Sequence, residues 1–146
     1  MIGLELYRAL ERDQTFKSRT QLEIVMAGNE KKWPPPINKP VAYIINADKH
    51  WVGLYIDDDC AIDYFDSYGT APLRGIYQWT KKWCNKDVRY NRLCLQSPLS
   101  VVCGMYTIFF LRLRSRGYCL EDIQKFFDPI DLGYNDALIT YAHKMA

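Results

Sequence analysis

Residues 50–66 read HWVGLYIDDDCAIDYFD. Two short runs rich in β-branched and aromatic residues flank the acidic triplet Asp57-Asp58-Asp59. Runs of that kind around a polar turn predict a β-hairpin, residues 50–56 against 60–65. A three-residue loop over 57–59 pairs Ile56 with Cys60, Leu54 with Ile62 and Val52 with Tyr64. Directly opposed residues share a face, so this register gathers the apolar set on one side. The next pair outward is His50 with Asp66, and Asp63 falls on the opposite face. A two-residue loop would turn Asp66 away from the histidine. The longer loop keeps the apolar set together and is the one expected.

Around this hairpin the chain reads as alternating elements. Residues 4–12 predict a short amphipathic helix and 21–26 a strand. Residues 28–40 are a loop, because Trp33-Pro34-Pro35-Pro36 lacks backbone donors and restricts each preceding residue. Residues 41–46 predict a buried strand, 73–83 a helix opened by Pro72, and 88–95 a further strand. Residues 103–116 predict an apolar helix stopped at Gly117. A helix over 120–127 and a last one from an Asn135 cap through 144 complete the chain. The fold class expected is α+β, a central mixed sheet flanked by helices.

At 146 residues the sequence predicts one domain, 1–146, long enough to bury a core. Nearly half the residues are apolar and a quarter are charged, an ordinary soluble composition. The opening MIGLELYRALERD has no apolar signal core, and no membrane-spanning run follows. Five cysteines, at 60, 84, 94, 103 and 119, contain no C-x-x-C pair, which argues against a zinc site. Free thiols in a reducing compartment are expected. Net charge is only +2, too small by itself to assert nucleic-acid binding. Basic residues do cluster, at Lys81, Lys82, Lys86, Arg89 and Arg92 and again at Arg112, Arg114 and Arg116. A solvated face is the plain reading of each cluster, and DNA is the functional one.

A histidine beside a carboxylate has a fixed tautomer and a stabilised imidazolium. It becomes catalytic when a nucleophile lies within reach. Cys103 is the candidate, since it opens the apolar helix. The helix dipole favours its thiolate, and an imidazolium neighbour favours it further. Gly104 lets a substrate backbone come close. The Cys103 backbone N–H and the side-chain amide of Gln96, seven residues earlier, can form an oxyanion hole. Singly, a cysteine on an apolar helix is most often a core residue. The four together, in the order His50, Asp66, Gln96, Cys103, are far more specific.

That order and spacing resemble adenain, the adenovirus maturation protease family, and the related SUMO and ubiquitin-like-protein proteases. The matching residues are His50-Trp51, the Asp66 of YFDSYG, Gln96, and Cys103-Gly104 within QSPLSVVCGMY, over roughly residues 41–116. The resemblance implies a papain-like cysteine protease site with permuted order, histidine and acid first and cysteine last. It implies cleavage after small residues, typically glycine, with Trp51 walling a narrow channel. It also implies a viral role in virion maturation, with localisation to the virion and to the host nucleus or cytoplasm. The adenovirus enzyme is tethered to an activating peptide through a cysteine between its acid and its glutamine. Here Cys84 and Cys94 lie in that interval. Cys84, at the end of a surface helix amid lysines, is the candidate for that peptide, and Cys94 is expected to be buried in a strand.

Three further readings remain open at this point. One is a deconjugase that removes ubiquitin-like modifiers after Gly-Gly. Another is a non-catalytic module that holds an extended peptide, against which the intact set of four residues argues. The third is acyl transfer on the same framework, with the thioester resolved by an amine and not by water.

Overall fold

The computed structural model describes residues 3–146. In chain order the elements are α1 (Gly3–Glu11), α2 (Gln14–Arg19), β1 (Gln21–Met26), β2 (Val41–Asn46), β3 (Trp51–Ile56), β4 (Ile62–Phe65), α3 (Arg74–Trp83), β5 (Val88–Tyr90), α4 (Cys103–Ser115), α5 (Leu120–Gln124) and α6 (Leu132–Met145). A single 3-10 turn lies at Glu30–Lys32. All five strands join one mixed sheet in chain order. The inner pairings of β2 with β3 and β3 with β4 are antiparallel, and the outer pairings of β1 with β2 and β4 with β5 are parallel. Parallel neighbours need a crossover, supplied by the loop over 27–40 and by α3. The α+β class read from the sequence is what the chain adopts.

Side chains alternate across the sheet, so each strand feeds two cores. On one face Tyr43, Ile45, Val52, Leu54, Ile56, Ile62 and Tyr64 pack with Trp33, Ile76 and Trp79. On the other, Ala42, Ile44, Tyr55 and Phe65 pack under Leu6, Leu10, Phe110 and Leu111 of α1 and α4. Coverage on both faces explains why β2 is an unbroken apolar run rather than an alternating one. Gly53 sets how closely α4 lies on β3, since a Cβ there would stand 3.2 Å from the Phe110 ring and 3.3 Å from the Thr107 methyl. No helix of the described residues is long and apolar enough to cross a membrane.

The hairpin register differs from the expected one by two residues. Ile56 pairs with Ile62, Leu54 with Tyr64 and Gly53 with Phe65, so the loop spans residues 57–61. Asp57 builds that longer turn: its Oδ1 accepts the backbone N–H groups of Asp59 and Ala61, each at 2.9 Å. An even displacement leaves every side chain on its expected face. The face assignment therefore holds although the loop length does not.

α2 is a helix with no counterpart among the expected elements; its start is fixed by Asp13, which accepts the Phe16 N–H. Three other expectations are corrected. β5 ends at Tyr90, so Cys94 is exposed in irregular chain rather than buried in a strand. α6 is capped by Asp131, which accepts the Tyr134 N–H, while Asn135 is buried inside the helix. Cys84 is not a free surface thiol but is buried and bonded to Cys60. The turn after β3 and the end of α3 bring the two Cα atoms within 5.7 Å, a normal disulfide separation. The expectation of free thiols throughout is corrected with it: Cys94, Cys103 and Cys119 are the free ones.

The second basic cluster is not an open face. Arg112 and Arg116 both bind the Asp13 carboxylate, each at 2.7 Å, and hold it well below the usual carboxylate range against the opposing effect of burial. Arg114 is buried, its Nε 2.9 Å from Asp63 as an ion pair off the line of its N–H. Arg89, of the first cluster, makes a two-pronged bond to the same carboxylate. Lys81, Lys82, Lys86 and Arg92 remain exposed.

Candidate active site

Cys103 opens α4, whose N-cap, Val102, gives no side-chain bond to the first turn. The backbone N–H groups there are left for other acceptors, and the helix dipole is positive at that end. The thiol is only 8% exposed. It accepts the Trp51 backbone N–H at 3.5 Å. Thr107 ties the two elements together, its hydroxyl bonding the carbonyls of Trp51 at 3.1 Å and Cys103 at 3.2 Å. The start of β3 and the first turn of α4 are thus one unit.

His50 sits one residue before β3, after a turn in which Asp48 and Lys49 adopt positive φ. Its Nε2 lies 2.7 Å from Asp66 Oδ1. With Nε2 taken up by Asp66, the ring lies near enough to Cys103 for each group to favour the other's charged form. Asp66 follows β4, and Asn91 clasps its backbone from both sides: the Asp66 N–H reaches Asn91 Oδ1 at 3.0 Å and Asn91 Nδ2 reaches the Asp66 carbonyl at 2.6 Å. The same Oδ1 that meets His50 accepts the Tyr68 N–H at 2.9 Å, and the Tyr68 ring lies 5.0 Å from the imidazole. Gly69, at φ +75, closes this turn against Leu93, whose carbonyl a Cβ there would press at 2.7 Å.

The electrostatics follow from these contacts. Burial raises the Cys103 thiol, but the His50 bond, the Trp51 and Gly104 N–H groups and the imidazolium charge outweigh it, so its pKa is lowered. Burial opposes charge on His50 too, but the bonds to Asp66 and Cys103 raise it to about 9. The pair is set up to rest as thiolate and imidazolium.

Gln96 is buried, and both ends of its amide are held. Its Oε1 accepts the Ser67 hydroxyl at 2.5 Å, and Nε2 donates to the Ser100 carbonyl at 3.1 Å. A primary amide has two N–H donors, so the Ser100 bond leaves one. The residues on either side are anchored to α4 and α6. The Leu95 carbonyl accepts Asn135 Nδ2 at 3.1 Å and the Tyr106 hydroxyl at 3.2 Å. Ser97 donates to Asp136 Oδ2 at 2.6 Å, and Tyr106 to Asp136 Oδ1 at 2.8 Å.

Of the residues singled out in the sequence, His50, Asp66 and Cys103 come together, His50 bonded to Asp66 and in electrostatic contact with Cys103. Gln96 joins the acid's own loop through Ser67. Trp51 contributes its backbone N–H, while the far edge of its indole lies against Gly3 of α1. Gly104, in the first turn of α4, is buried. Cys84 is outside this group, in its disulfide. Sequence reasoning missed Ser67, Tyr68, Asn91 and Asp136. The Asp-Ser-Tyr-Gly turn at 66–69 was the available signal for the first two.

No family model matches the chain. Over 77 residues it is 27% identical to a SUMO-1 cysteine protease of African swine fever virus, a stretch covering 45% of this chain and 28% of that relative. The chain is therefore similar to a viral cysteine protease over well under two thirds of that protein's length. Among solved structures, the central domain of an uncharacterized Legionella pneumophila protein aligns at TM-score 0.42 and 16% identity, over 72% of this chain and 66% of that one. A de-sumoylating protease aligns at TM-score 0.40 and 16% identity, over 99% of this chain and 68% of that one.

Proposed function

We propose that the chain is a cysteine peptidase, with a papain-like site in permuted order and Cys103 as nucleophile. The observation that carries the reading is that His50, bonded to Asp66 at 2.7 Å, stands beside Cys103, each of the two favouring the other's charge. The Cys103 thiolate attacks the substrate carbonyl carbon. The oxyanion that forms is held by the Cys103 backbone N–H and the remaining amide donor of Gln96. His50 gives its Nδ1 proton to the leaving amine as the C–N bond breaks, leaving a thioester on Cys103. His50 then takes a proton from water, which attacks the thioester and frees the acid. Asp66 orients the ring throughout and stabilises its charged form.

The first reading of substrate is a polypeptide cut after a glycine-containing site, as in processing of viral structural precursors. Its support is the enclosed thiol, which favours a residue without a side chain before the scissile bond. A second reading, removal of a ubiquitin-like modifier after Gly-Gly, is favoured by the similarity to a SUMO-1 cysteine protease. Cleavage of a peptide library, with Cys103→Ala as control, tests the first. Covalent labelling of Cys103 by a modifier ending in a Gly-Gly vinyl sulfone tests the second. Failure of the wild-type chain in both would reject the peptidase.

A further inference from the structure

The sequence has four tryptophans, and three of them line one cavity. Trp33, Trp79 and Trp83 surround about 490 Å³ between the 3-10 turn and α3, on the side of the sheet away from α4. Cys103 is not among the lining residues. Trp33 and Trp79 are buried and meet edge to face at 5.0 Å, with Trp33 fixed by its Nε1 donating to the Met26 carbonyl at 2.9 Å. Trp83 is partly exposed at the rim.

Glu30 also lines this cavity. Its Oε2 is tucked away from solvent and has no hydrogen-bond donor among the described residues, so the carboxylate meets the cavity through its other side with its charge unpaired. An unpaired carboxylate beside indole rings favours a cation. Lys31 and Lys82 both line the cavity, yet neither forms an ion pair with Glu30. Lys82 instead lies over the Trp83 ring at 5.3 Å, which shows that this indole face accepts a cation. Gly75 makes the arrangement possible, since a Cβ there would collide with Glu30 Oε1.

We propose that this cavity binds an organic cation that carries N–H donors and has the size of a lysine or arginine side chain. Indole faces attract the cation, and its N–H bonds the Glu30 carboxylate that lines the cavity. A quaternary ammonium would meet the indoles but offer the carboxylate no donor. The source is either a basic side chain of a polypeptide or a free amine of the same length, and the probes separate the two.

The test is titration of the ¹⁵N-labelled protein with capped lysine, capped arginine, 1,4-diaminobutane and tetramethylammonium, read at the indole N–H resonances. The Trp33, Trp79 and Trp83 signals shift, and Trp51, beside Cys103, stays in place as the internal reference. Glu30→Gln, which keeps shape and removes charge, weakens binding roughly tenfold, and tetramethylammonium binds the wild type more weakly by a similar factor. Lys82→Met removes the competing internal cation and tightens binding. Tighter binding of the capped amino acids than of the diamine assigns a polypeptide source, and the reverse assigns a free amine. No shift at millimolar probe, equal binding by tetramethylammonium, or a Glu30→Gln protein that melts like wild type and binds equally well would overturn the proposal. Because the readout is binding at a site apart from Cys103, it stands or falls separately from the peptidase reading.

Discussion

His50 Nε2 lies 2.7 Å from Asp66 Oδ1, although both residues stand just outside the paired strands that deliver them. The last pair of that ladder is Gly53 with Phe65. Strand pairing therefore brings the two chain segments together, and the turns beyond it set the final geometry. Asp66 is held by Asn91 and by the Tyr68 N–H, so the carboxylate is in place independently of the histidine.

Asp66→Asn should keep the fold and lower kcat strongly, by about two to four orders of magnitude if the acid works as in other triads. An amide cannot offset the imidazolium charge. Asp63 is the control, because it lies on the other face between Arg89 and Arg114. Burial pushes the Asp63 carboxyl up against the pull of both guanidiniums. Asp63→Asn should leave turnover per folded molecule near wild type but cost about 3 kcal/mol of stability, since Arg114 stays buried without its main counter-charge. Turnover and urea melts on both variants measure this. A large catalytic loss at Asp63 with none at Asp66 would reverse the assignment.

The pH profile follows from the two shifts. The thiolate forms above the lowered pKa of Cys103, and the imidazolium is lost as pH rises through about 9. Activity should plateau between these limits and fall on the alkaline side. Because the His50 pKa is raised from 6.5 to about 9 on folding, its charge stabilises the fold fully below 6.5, and that contribution disappears as pH climbs through about 9. Asp66→Asn should move the alkaline limb to lower pH, since it removes a main force holding the proton. An alkaline limb at the same pH in that variant would show that Asp66 does not hold the imidazolium.

The sequence carried the strands and the grouping of His50, Asp66 and Cys103 further than it carried the supporting contacts. Side-chain period two is insensitive to a register slip of two, so His50 and Asp66 were matched despite a loop of the wrong length. The apolar run at 41–46 and the helix from Cys103 were legible because most of their residues are buried. The Cys60 and Cys84 bond was not legible, because it depends on how the hairpin turn meets the end of α3. Asn135 was read as a cap from local chemistry, but its amide serves Leu95 forty residues away. Arg114 read as part of a basic face because nothing local reveals that α4 lays it over Asp63.

Reduction offers a separate check on the disulfide. It closes a loop of 24 residues' separation, away from Cys103, and should contribute about 3 kcal/mol by restricting the unfolded chain. Dithiothreitol should therefore lower the melting temperature of wild type but not of Cys60→Ser/Cys84→Ser, and should leave the initial rate of peptide cleavage unchanged. An activating peptide carrying a cysteine would have to displace Cys60 before it could bond Cys84. Loss of cleavage on reduction, rescued by no variant, would place the bond in the catalytic machinery instead.

Gln96 and Asp136 should separate cleanly in kinetics. The Gln96 amide is useful once negative charge develops on the carbonyl oxygen, so Gln96→Ala should lower kcat by roughly a hundredfold with little change in KM. Asp136 touches no substrate in this scheme. It is a positioning residue that holds Ser97 and Tyr106, and through them both neighbours of Gln96. Asp136→Ala should lower kcat less than Gln96→Ala, again with KM near wild type. Asp136→Asn, which still accepts one hydrogen bond, should recover part of the loss. The double variant Gln96→Ala/Asp136→Ala should be no slower than Gln96→Ala alone, because the second change acts through a group already removed. Additive losses in that double variant would show that Asp136 acts on stability or on another part of the site.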